Sequence, residues 1–173
     1  PGFKTASEAL YSLVARHRVF FSRLTRWLWG ADVEPETFEL ARWLILRALG
    51  VVFLAAFASL GVQVSGLLGR EGLAPAAQLL EAARTQLGSE RYRLFPTLCW
   101  LASSDGFLRF LCWGGAALSA LLVAGVLPGA LLLVLWAFYL SLTAVGGDFM
   151  AFQWDALLIE TGFLAAFLAP WGL

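Results

Sequence analysis

Four apolar runs, each close to the length that crosses a lipid bilayer, set the strongest limit on how this chain can fold. They cover about residues 43–64, 107–126, 130–145 and 149–169. Because the hydrocarbon core is about 30 Å thick and a helix rises about 1.5 Å per residue, roughly 20 apolar residues span it. In lipid every backbone N–H and C=O needs an internal partner, so such runs fold as helices. The sequence therefore predicts an all-α integral membrane protein, a bundle of about four transmembrane helices.

The composition excludes an ordinary soluble domain. The chain has 173 residues, of which 60% are hydrophobic and 14% are charged, and its mean hydropathy is +0.77. Soluble domains are about half apolar and about a quarter charged. The formal net charge is zero, so no overall field attracts nucleic acid, and none is expected as a partner. The partner that this composition predicts is the lipid bilayer.

The N-terminal residues 1–34 are predicted to be a basic amphipathic segment that lies on the membrane surface. Residues 7–29 place apolar side chains along one side of a helix and most of their arginines along the other. Such a helix, with tryptophans at one end, is typical of the membrane interface. The same apolar face could instead pack against the bundle. The bundle itself is assigned to residues 35–173, and because the chain begins at Pro1 without a methionine we expect a fragment of a longer protein.

Positive charge predicts the orientation in the membrane. Seven of the twelve Lys and Arg residues precede or open the first span: Lys4, Arg16, Arg18, Arg23, Arg26, Arg42 and Arg47. Cytoplasmic segments are enriched in basic residues, so the N-terminus is expected in the cytoplasm. The loop of residues 65–106, with a short amphipathic helix at 75–87 stopped by Gly88, is then outside or in a lumen. By parity, the turn between the third and fourth spans faces the same side.

Small residues mark places where helices can pack closely. Ala116, Ala120 and Ala124 fall on one stripe of the second span, which lets a neighbouring helix approach. Cys99 and Cys112 lie among apolar neighbours and are predicted to be buried free thiols rather than a disulfide. With one histidine in the chain and no Cys/His cluster, no metal site is predicted. No cofactor is expected.

The fourth span carries polar residues where lipid favours leucine. Its first part reads FQWDALLIETGF, residues 152–163, and includes Gln153, Asp155 and Glu160. Gln153 and Glu160 are seven residues apart and share a helix face, whereas Asp155 lies on the opposite side. The two carboxylates are therefore not a paired acid–base site. Because a carboxylate near the bilayer centre costs about 2.5–3.5 kcal/mol, Gln153 and Glu160 are predicted to face the bundle interior.

Two arginines near the ends of spans are candidate partners for these carboxylates. Arg109 enters from the same side as Asp155, and we expect the two to pair. Arg47 enters from the cytoplasmic side, where its stem can snorkel to the interface. Glu160 either reaches Arg47 or stays protonated and hydrogen-bonded. Buried polar groups of this kind either fix the register of neighbouring helices through hydrogen bonds or bind a ligand or a proton.

The outer ends of the second and fourth spans are predicted to meet the long loop at one rim. Asp105, a candidate N-cap, and Arg109 are four residues apart and share a helix face. Trp154 has a ring suited to the membrane interface. This rim either anchors the loop for stability alone or is also a platform for a client protein or a soluble region. The candidate functional residues are Pro96, Trp100, Asp105, Arg109, Gln153, Trp154, Asp155 and Glu160.

Three motifs, in the same order, resemble those of the lipase maturation factor family. They are LLGREGLAPAAQLL at 67–80, PTLCWLASSD at 96–105 and FQWDALLIETGFLAAFLAP at 152–170. They are similar to the family's Gly-x-x-Gly-Leu-x-Pro loop, its Pro-Thr-x-x-Trp-Leu segment ending in Ser-Asp, and its aromatic-x-Trp-Asp/Glu segment running into a Leu-Leu-Glu-x-Gly-Phe-Leu helix. The resemblance covers about residues 43–170, and the basic N-terminal segment carries no matching motif.

The resemblance implies a multi-pass membrane protein with further spans and a soluble C-terminal region. It implies a maturation or folding factor that assists secreted lipases, in the endoplasmic reticulum membrane of animals. Bacterial members imply the cell inner membrane instead, and the alanine-rich and arginine-rich composition favours that location. The family is also distantly similar to the membrane part of vitamin K-dependent carboxylases. The alternative is therefore a carboxylase-like or lipid-handling protein with Glu160 in a buried site, although no enzyme motif is carried by these residues.

Overall fold

The computed structural model describes residues 15–17, 19–20, 23 and 38–171. The chain divides into two units, Pro1–Phe38 and Glu39–Leu173. Most of the predicted surface helix at 7–29 lies outside the described residues. Its location on the membrane surface, and its separation as an N-terminal segment, therefore stay predictions.

The described part of the second unit is helical, as the apolar runs predict. Three helices are long and apolar enough to cross a membrane, at Glu39–Leu68, Asp105–Ala124 and Pro128–Met150, which confirms an all-α membrane protein. The last helix has 16 residues, about 24 Å of length, so a fourth complete span stays a prediction. The helices are α1 (Glu39–Leu68), α2 (Ala76–Leu87), α3 (Arg91–Leu94), α4 (Asp105–Ala124), α5 (Pro128–Gly146) and α6 (Gln153–Leu168).

The long loop between α1 and α4 consists largely of short helical segments. It contains α2, α3 and the 3₁₀ turns Gly88–Glu90 and Leu98–Trp100. The helix predicted at 75–87 is α2, and Gly88 ends it with a φ of +53°, which a glycine adopts without steric cost. The loop therefore leaves α1 and returns to α4 on the same side of the bundle.

A tight reversal joins α4 to α5 at the other side. The Gly125 N–H donates to the carbonyls of Leu121 and Leu122 at 2.9 and 3.0 Å, and Gly125 adopts a φ of +95°. Pro128 then opens α5, where its missing N–H costs nothing. Because only three residues separate the two helices, α4 and α5 are antiparallel neighbours.

Arg47 closes the carbonyl end of α4. Its Nη1 donates to the Leu122 carbonyl at 3.3 Å, and its guanidinium lies 5.3 Å from the centre of the Trp43 ring. A cation is favourable at a helix C-terminus, where carbonyls lack intrahelical donors. A Cβ at Gly125 would collide with Nη2 of this arginine. The partner of Arg47 is therefore a helix end, not Glu160.

The centre of the bundle is built on two phenylalanine rings from α1. Phe53 and Phe57 are 0% exposed. A Cβ at Gly115 of α4 would lie 2.5 Å from the Phe57 ring, and one at Gly162 of α6 would lie 2.7 Å from the Phe53 ring. Tyr139 of α5 meets the two rings edge-on, with centroids 5.3 Å from Phe57 and 6.0 Å from Phe53. All four long helices therefore contribute to this cluster.

The small residues that bring α1 close to α4 differ from the predicted stripe. Ala116 is buried, but Ala120 and Ala124 are exposed, so the prediction is wrong for two of its three members. Gly115 and Ser119 are the other small residues of the buried seam. The reason is that the Phe57 ring of α1 fits only against a position without a Cβ, so α4 packs with Gly115 facing α1. The two cysteines, Cys99 and Cys112, are buried and free, as predicted.

Replacing either of the two central glycines by alanine is expected to destabilise the bundle. Gly162→Ala and Gly115→Ala each force a phenylalanine ring to shift, and overpacking a well-packed core costs about 1–3 kcal/mol. The measurement is the thermal midpoint of the detergent-solubilised protein. Gly66→Ala is the matched control, because this helical glycine has no atom within 4 Å of a Cβ. A Gly162→Ala protein as stable as the Gly66→Ala protein would contradict this account of the core.

Candidate functional site

The side of the bundle covered by the loop carries parts of all three sequence motifs. We call it the loop-side rim: the loop of residues 69–104, the last turn of α1, the first turns of α4 and α6, and the C-terminal half of α5. Four helices, α1, α4, α5 and α6, reach this rim from positions far apart in the chain. Its polar contacts decide which of the predicted site residues come together.

Asp155 lies half-buried in the first turn of α6, and its partner is a tyrosine. The Tyr139 hydroxyl donates to Asp155 Oδ1 at 2.6 Å. The predicted pairing with Arg109 is wrong, because Arg109 Nε donates to Ser65 Oγ at 2.8 Å. The physical reason is packing: the start of α4 lies against α1, whereas α6 lies mainly against α5, so α5 supplies the donor.

The Tyr139–Asp155 hydrogen bond fixes α6 relative to the aromatic centre. Tyr139 is 4% exposed, and its ring already contacts Phe53 and Phe57. Asp155 and Gly162 are seven residues apart and share one helix face. The phenol holds the first turn of that face, and the Phe53 ring fills the space at Gly162. Two contacts of different kinds therefore set the rotation and register of α6.

Gln153 and Glu160 do not face the bundle interior. Both are exposed, as are Trp154 at 81% and Thr161. The sequence correctly places Glu160 and Asp155 on opposite faces of the helix, but the face that packs is the one with Asp155. The prediction is wrong because packing is decided by how closely helices can approach. The Asp155 face carries glycine and alanine, with Gly162, Ala165 and Ala166 buried, and the Glu160 face does not.

Asp105 ties the beginning of the loop to the beginning of α4. Its Oδ1 accepts a hydrogen bond from the Arg70 backbone N–H at 2.8 Å. It is not the N-cap, because Ser104 has that role and accepts from the Phe107 N–H at 3.3 Å. The Asp105 side chain therefore joins the two ends of the loop. The sequence identified this residue as a candidate N-cap, but not as this link.

A second set of hydrogen bonds pins the end of the loop to α5. Thr97 Oγ1 donates to the Ser141 carbonyl at 3.0 Å, and the Leu98 N–H donates to Ser141 Oγ at 2.9 Å. Ser141 Oγ also donates to the Ala137 carbonyl at 2.6 Å, so the hydroxyl both accepts and donates a hydrogen bond. Sequence reasoning missed Ser141. The signal for it is a polar side chain inside an apolar helix, which needs a partner when buried.

Trp100 and Pro96 flank the segment that is hydrogen-bonded to Ser141. Trp100 Nε1 donates to the Phe95 carbonyl at 2.9 Å, and its ring lies 5.8 Å from that of Tyr92 and 5.6 Å from the Arg91 guanidinium. Pro96 is exposed and separates α3 from the pinned segment. Trp100 therefore folds the loop upon itself rather than onto α6.

Cys99 lies beneath the pinned segment and is 2% exposed. Burial raises the pKa of its thiol, and the opposing effect of its hydrogen bond with Thr97 is smaller. The thiol is therefore neutral at neutral pH and a poor nucleophile. Among the residues that the structure describes, no group of three His, Cys, Asp or Glu side chains could hold a metal ion.

Two open cavities flank the pinned loop. One, of about 470 Å³, is lined by polar and apolar side chains that include Glu81, Arg84, Arg91, Trp100 and Ser103. The other, of about 450 Å³, lies between the loop and the end of α5 and is lined by residues 73–75, 78–79 and 145–149. The loop-side rim thus contains two concave surfaces, of which the one at the end of α5 is the more apolar.

These features define the class of protein: an integral membrane helical bundle with a loop pinned over one end. Residues 40–173 match the model of the lipase maturation factor transmembrane domain. The chain belongs to the lipase maturation factor family, as its three motifs predict.

The similarity to known members covers most of this chain. It is 45% identical to Lipase maturation factor 2 of Homo sapiens over 142 residues, covering 76% of this chain and 20% of that protein. It is 45% identical to Lipase maturation factor 2 of Gallus gallus over 75% of this chain. With Lipase maturation factor 1 of Bos taurus the identity is 36% over 81% of this chain and 26% of the relative. The chain thus spans about a fifth to a quarter of the length of these relatives. No solved structure matches it.

The Tyr139–Asp155 bond makes a stability prediction. Tyr139→Phe leaves a half-buried carboxylate without its donor, at an expected cost of about 1–3 kcal/mol. Tyr92→Phe is the control, because Tyr92 is exposed and its hydroxyl accepts only from Arg91; its expected effect is within about 0.5 kcal/mol. Both are measured as thermal midpoints in detergent. Equal midpoints for the two variants would show that the bond does not stabilise the bundle.

The hydrogen bonds between Ser141 and the loop lead to a prediction about amide hydrogen exchange in the loop. Ser141→Ala removes the acceptor of the Leu98 N–H, so amide hydrogen exchange at residues 97–100 is expected to become faster by about tenfold, for a loss of about 1.4 kcal/mol. Ser119→Ala is a matched control: Ser119 is also buried and bonds to the carbonyl four residues earlier, at Gly115. Unchanged exchange in Ser141→Ala, or equal acceleration in both variants, would contradict the pin.

Proposed function

We propose that this chain is the membrane-embedded part of a maturation factor that assists the folding or assembly of secreted lipases or similar client proteins. Its membership of the lipase maturation factor family is the observation that carries this proposal. The relatives that carry this name are four to five times as long as the region that matches this chain. The role of the region described here is then to hold and present the functional parts of a larger protein at the membrane.

The loop-side rim is the surface that we assign to this role. Hydrogen bonds at Asp105 and Ser141 hold the loop at both ends, so a rigid surface exists without a bound partner. The loop nevertheless leaves large apolar side chains exposed, which mark protein or membrane contact sites. These are Leu73, Leu79, Tyr92, Leu94 and Leu101. A platform of this kind suits a partly folded client, whose own apolar surface is not yet covered.

The endoplasmic reticulum membrane is the location that we propose. Secreted proteins fold there, and the curated relatives described above come from vertebrates. The comparisons give no support to a bacterial inner membrane, which the composition had favoured. With the N-terminus in the cytoplasm, as the arginine bias predicts, the loop-side rim faces the lumen and meets secreted clients.

The alternative of a carboxylase-like or lipid-handling protein loses its main support. It depended on Glu160 in a buried site, and Glu160 is exposed on the outer face of α6. The carboxylate that is partly buried is Asp155, which is engaged by Tyr139. We therefore assign no catalytic residue.

Secretion of active lipase from cells that lack their own maturation factor tests the proposal. The complete protein that contains this chain is expected to restore the activity per secreted lipase molecule. Leu101→Ser and Leu73→Ser together should lower the rescue at least tenfold, because burying each leucine in a complex is worth about 1.5–3 kcal/mol and about 1.4 kcal/mol already corresponds to a factor of ten. Glu90→Gln, also exposed on the loop, is the control. A complete protein present in the membrane at normal levels that restores no lipase activity would overturn the proposal.

A further inference from the structure

The outer face of α6 carries a regular stripe of exposed side chains. The stripe consists of Gln153, Leu157, Glu160, Leu164 and Phe167, and we call it the α6 outer stripe. Its members follow one another at intervals of four, three, four and three residues. An average interval of 3.5 residues is the repeat of a helix that packs lengthwise along another helix. Among residues 39–171, no helix occupies this stripe.

Glu160 lies at the depth of the bundle centre. It is two residues from Gly162, which contacts the Phe53 ring. Phe53 is the fifteenth residue of α1, which has 30 residues, so Glu160 is level with the middle of the longest membrane-crossing helix. An ionisable side chain at that depth is unfavourable in contact with lipid and is normally turned toward protein. A soluble protein bound at the loop-side rim would therefore not contact Glu160.

Glu160 has no partner in the part of the chain that the structure describes. The two arginines that the sequence offered are both engaged elsewhere, Arg47 at the carbonyl end of α4 and Arg109 at Ser65. Gln153, on the same stripe one heptad earlier, is exposed as well. The stripe therefore combines the geometry of a helix seam with two polar groups that need hydrogen bonds.

We propose that the α6 outer stripe packs against a further transmembrane helix, supplied from outside residues 1–173, that presents a hydrogen-bond donor side chain to Glu160. A helix is the occupant that fits, since only a helix offers a lengthwise seam at this depth. The relatives have three to four times as much additional chain as the matched region, which leaves room for it. A second copy of α6 fits less well, because a symmetric contact places one Glu160 against another.

Site-specific photo-crosslinking in the complete protein, in its own membrane, tests this contact. A photoreactive amino acid replaces Leu157 or Leu164, which flank Glu160 on the stripe. The expected product joins α6 to a peptide of another membrane helix, with an Arg, Lys, His, Asn, Gln, Ser or Thr within one turn of the crosslinked residue. The same probe at Leu158, which is buried on the opposite face, is the control and should join α6 to α1 or α5. Only lipid adducts, or an adduct to α6 of a second copy, would overturn the proposal.

Variants of Glu160 separate the hydrogen bond from simple packing. Glu160→Leu should lower the crosslinking yield from Leu164 at least fivefold while the yield from Leu158 stays unchanged, which shows that the bundle is still folded. Glu160→Gln keeps a hydrogen-bonding side chain and should retain most of the yield. If Glu160→Leu leaves the yield from Leu164 unchanged, or if Glu160→Gln lowers it as far as Glu160→Leu does, the donor contact is refuted.

Discussion

The fold depends on the close approach of α1 to its neighbours at two glycines. In lipid, apolar side chains gain little by leaving their surroundings, so helices associate through van der Waals packing and interhelical hydrogen bonds. Phe53 and Phe57 fill the spaces at Gly162 and Gly115, which brings α6 and α4 against α1. Tyr139 closes the cluster from α5. The packing of three helices is thus decided by where a Cβ is missing.

Tyr139 connects this centre to the loop-side rim, because its ring belongs to the aromatic cluster and its hydroxyl to Asp155. Two residues further along α5, Ser141 receives the end of the loop. At the start of the loop, Asp105 accepts from the Arg70 backbone. Polar groups at these places stabilise the loop because each donor finds an acceptor. The surface that we propose for client binding is therefore held by α5, the same helix that contributes Tyr139 to the core.

Several features could be read from the residue pattern, and others could not. The all-helical fold, the loop between the first two spans and the opposite faces of Asp155 and Glu160 follow from hydropathy and helical periodicity, which are local. The partners of Asp155 and Arg109 do not, since both pairs join residues on different helices. Tyr139 lies sixteen residues before Asp155 and Ser65 lies 44 before Arg109. Orientation by charge suggested Arg109 as the partner of Asp155, but helix neighbours decided otherwise.

By itself the sequence determined that this chain is a membrane helical bundle of the lipase maturation factor family. Hydropathy and the order of the motifs can be read along the chain without knowledge of tertiary contacts. It also determined that α6 has two polar faces. Only the tertiary structure decided which face packs inward, because that choice depends on a ring of α1 meeting a glycine of α6. The cost of exposing a carboxylate to lipid pointed to Glu160 as the inward group. Close packing outweighed it, since a helix face without bulky side chains lets the rings of α1 and α5 come into contact.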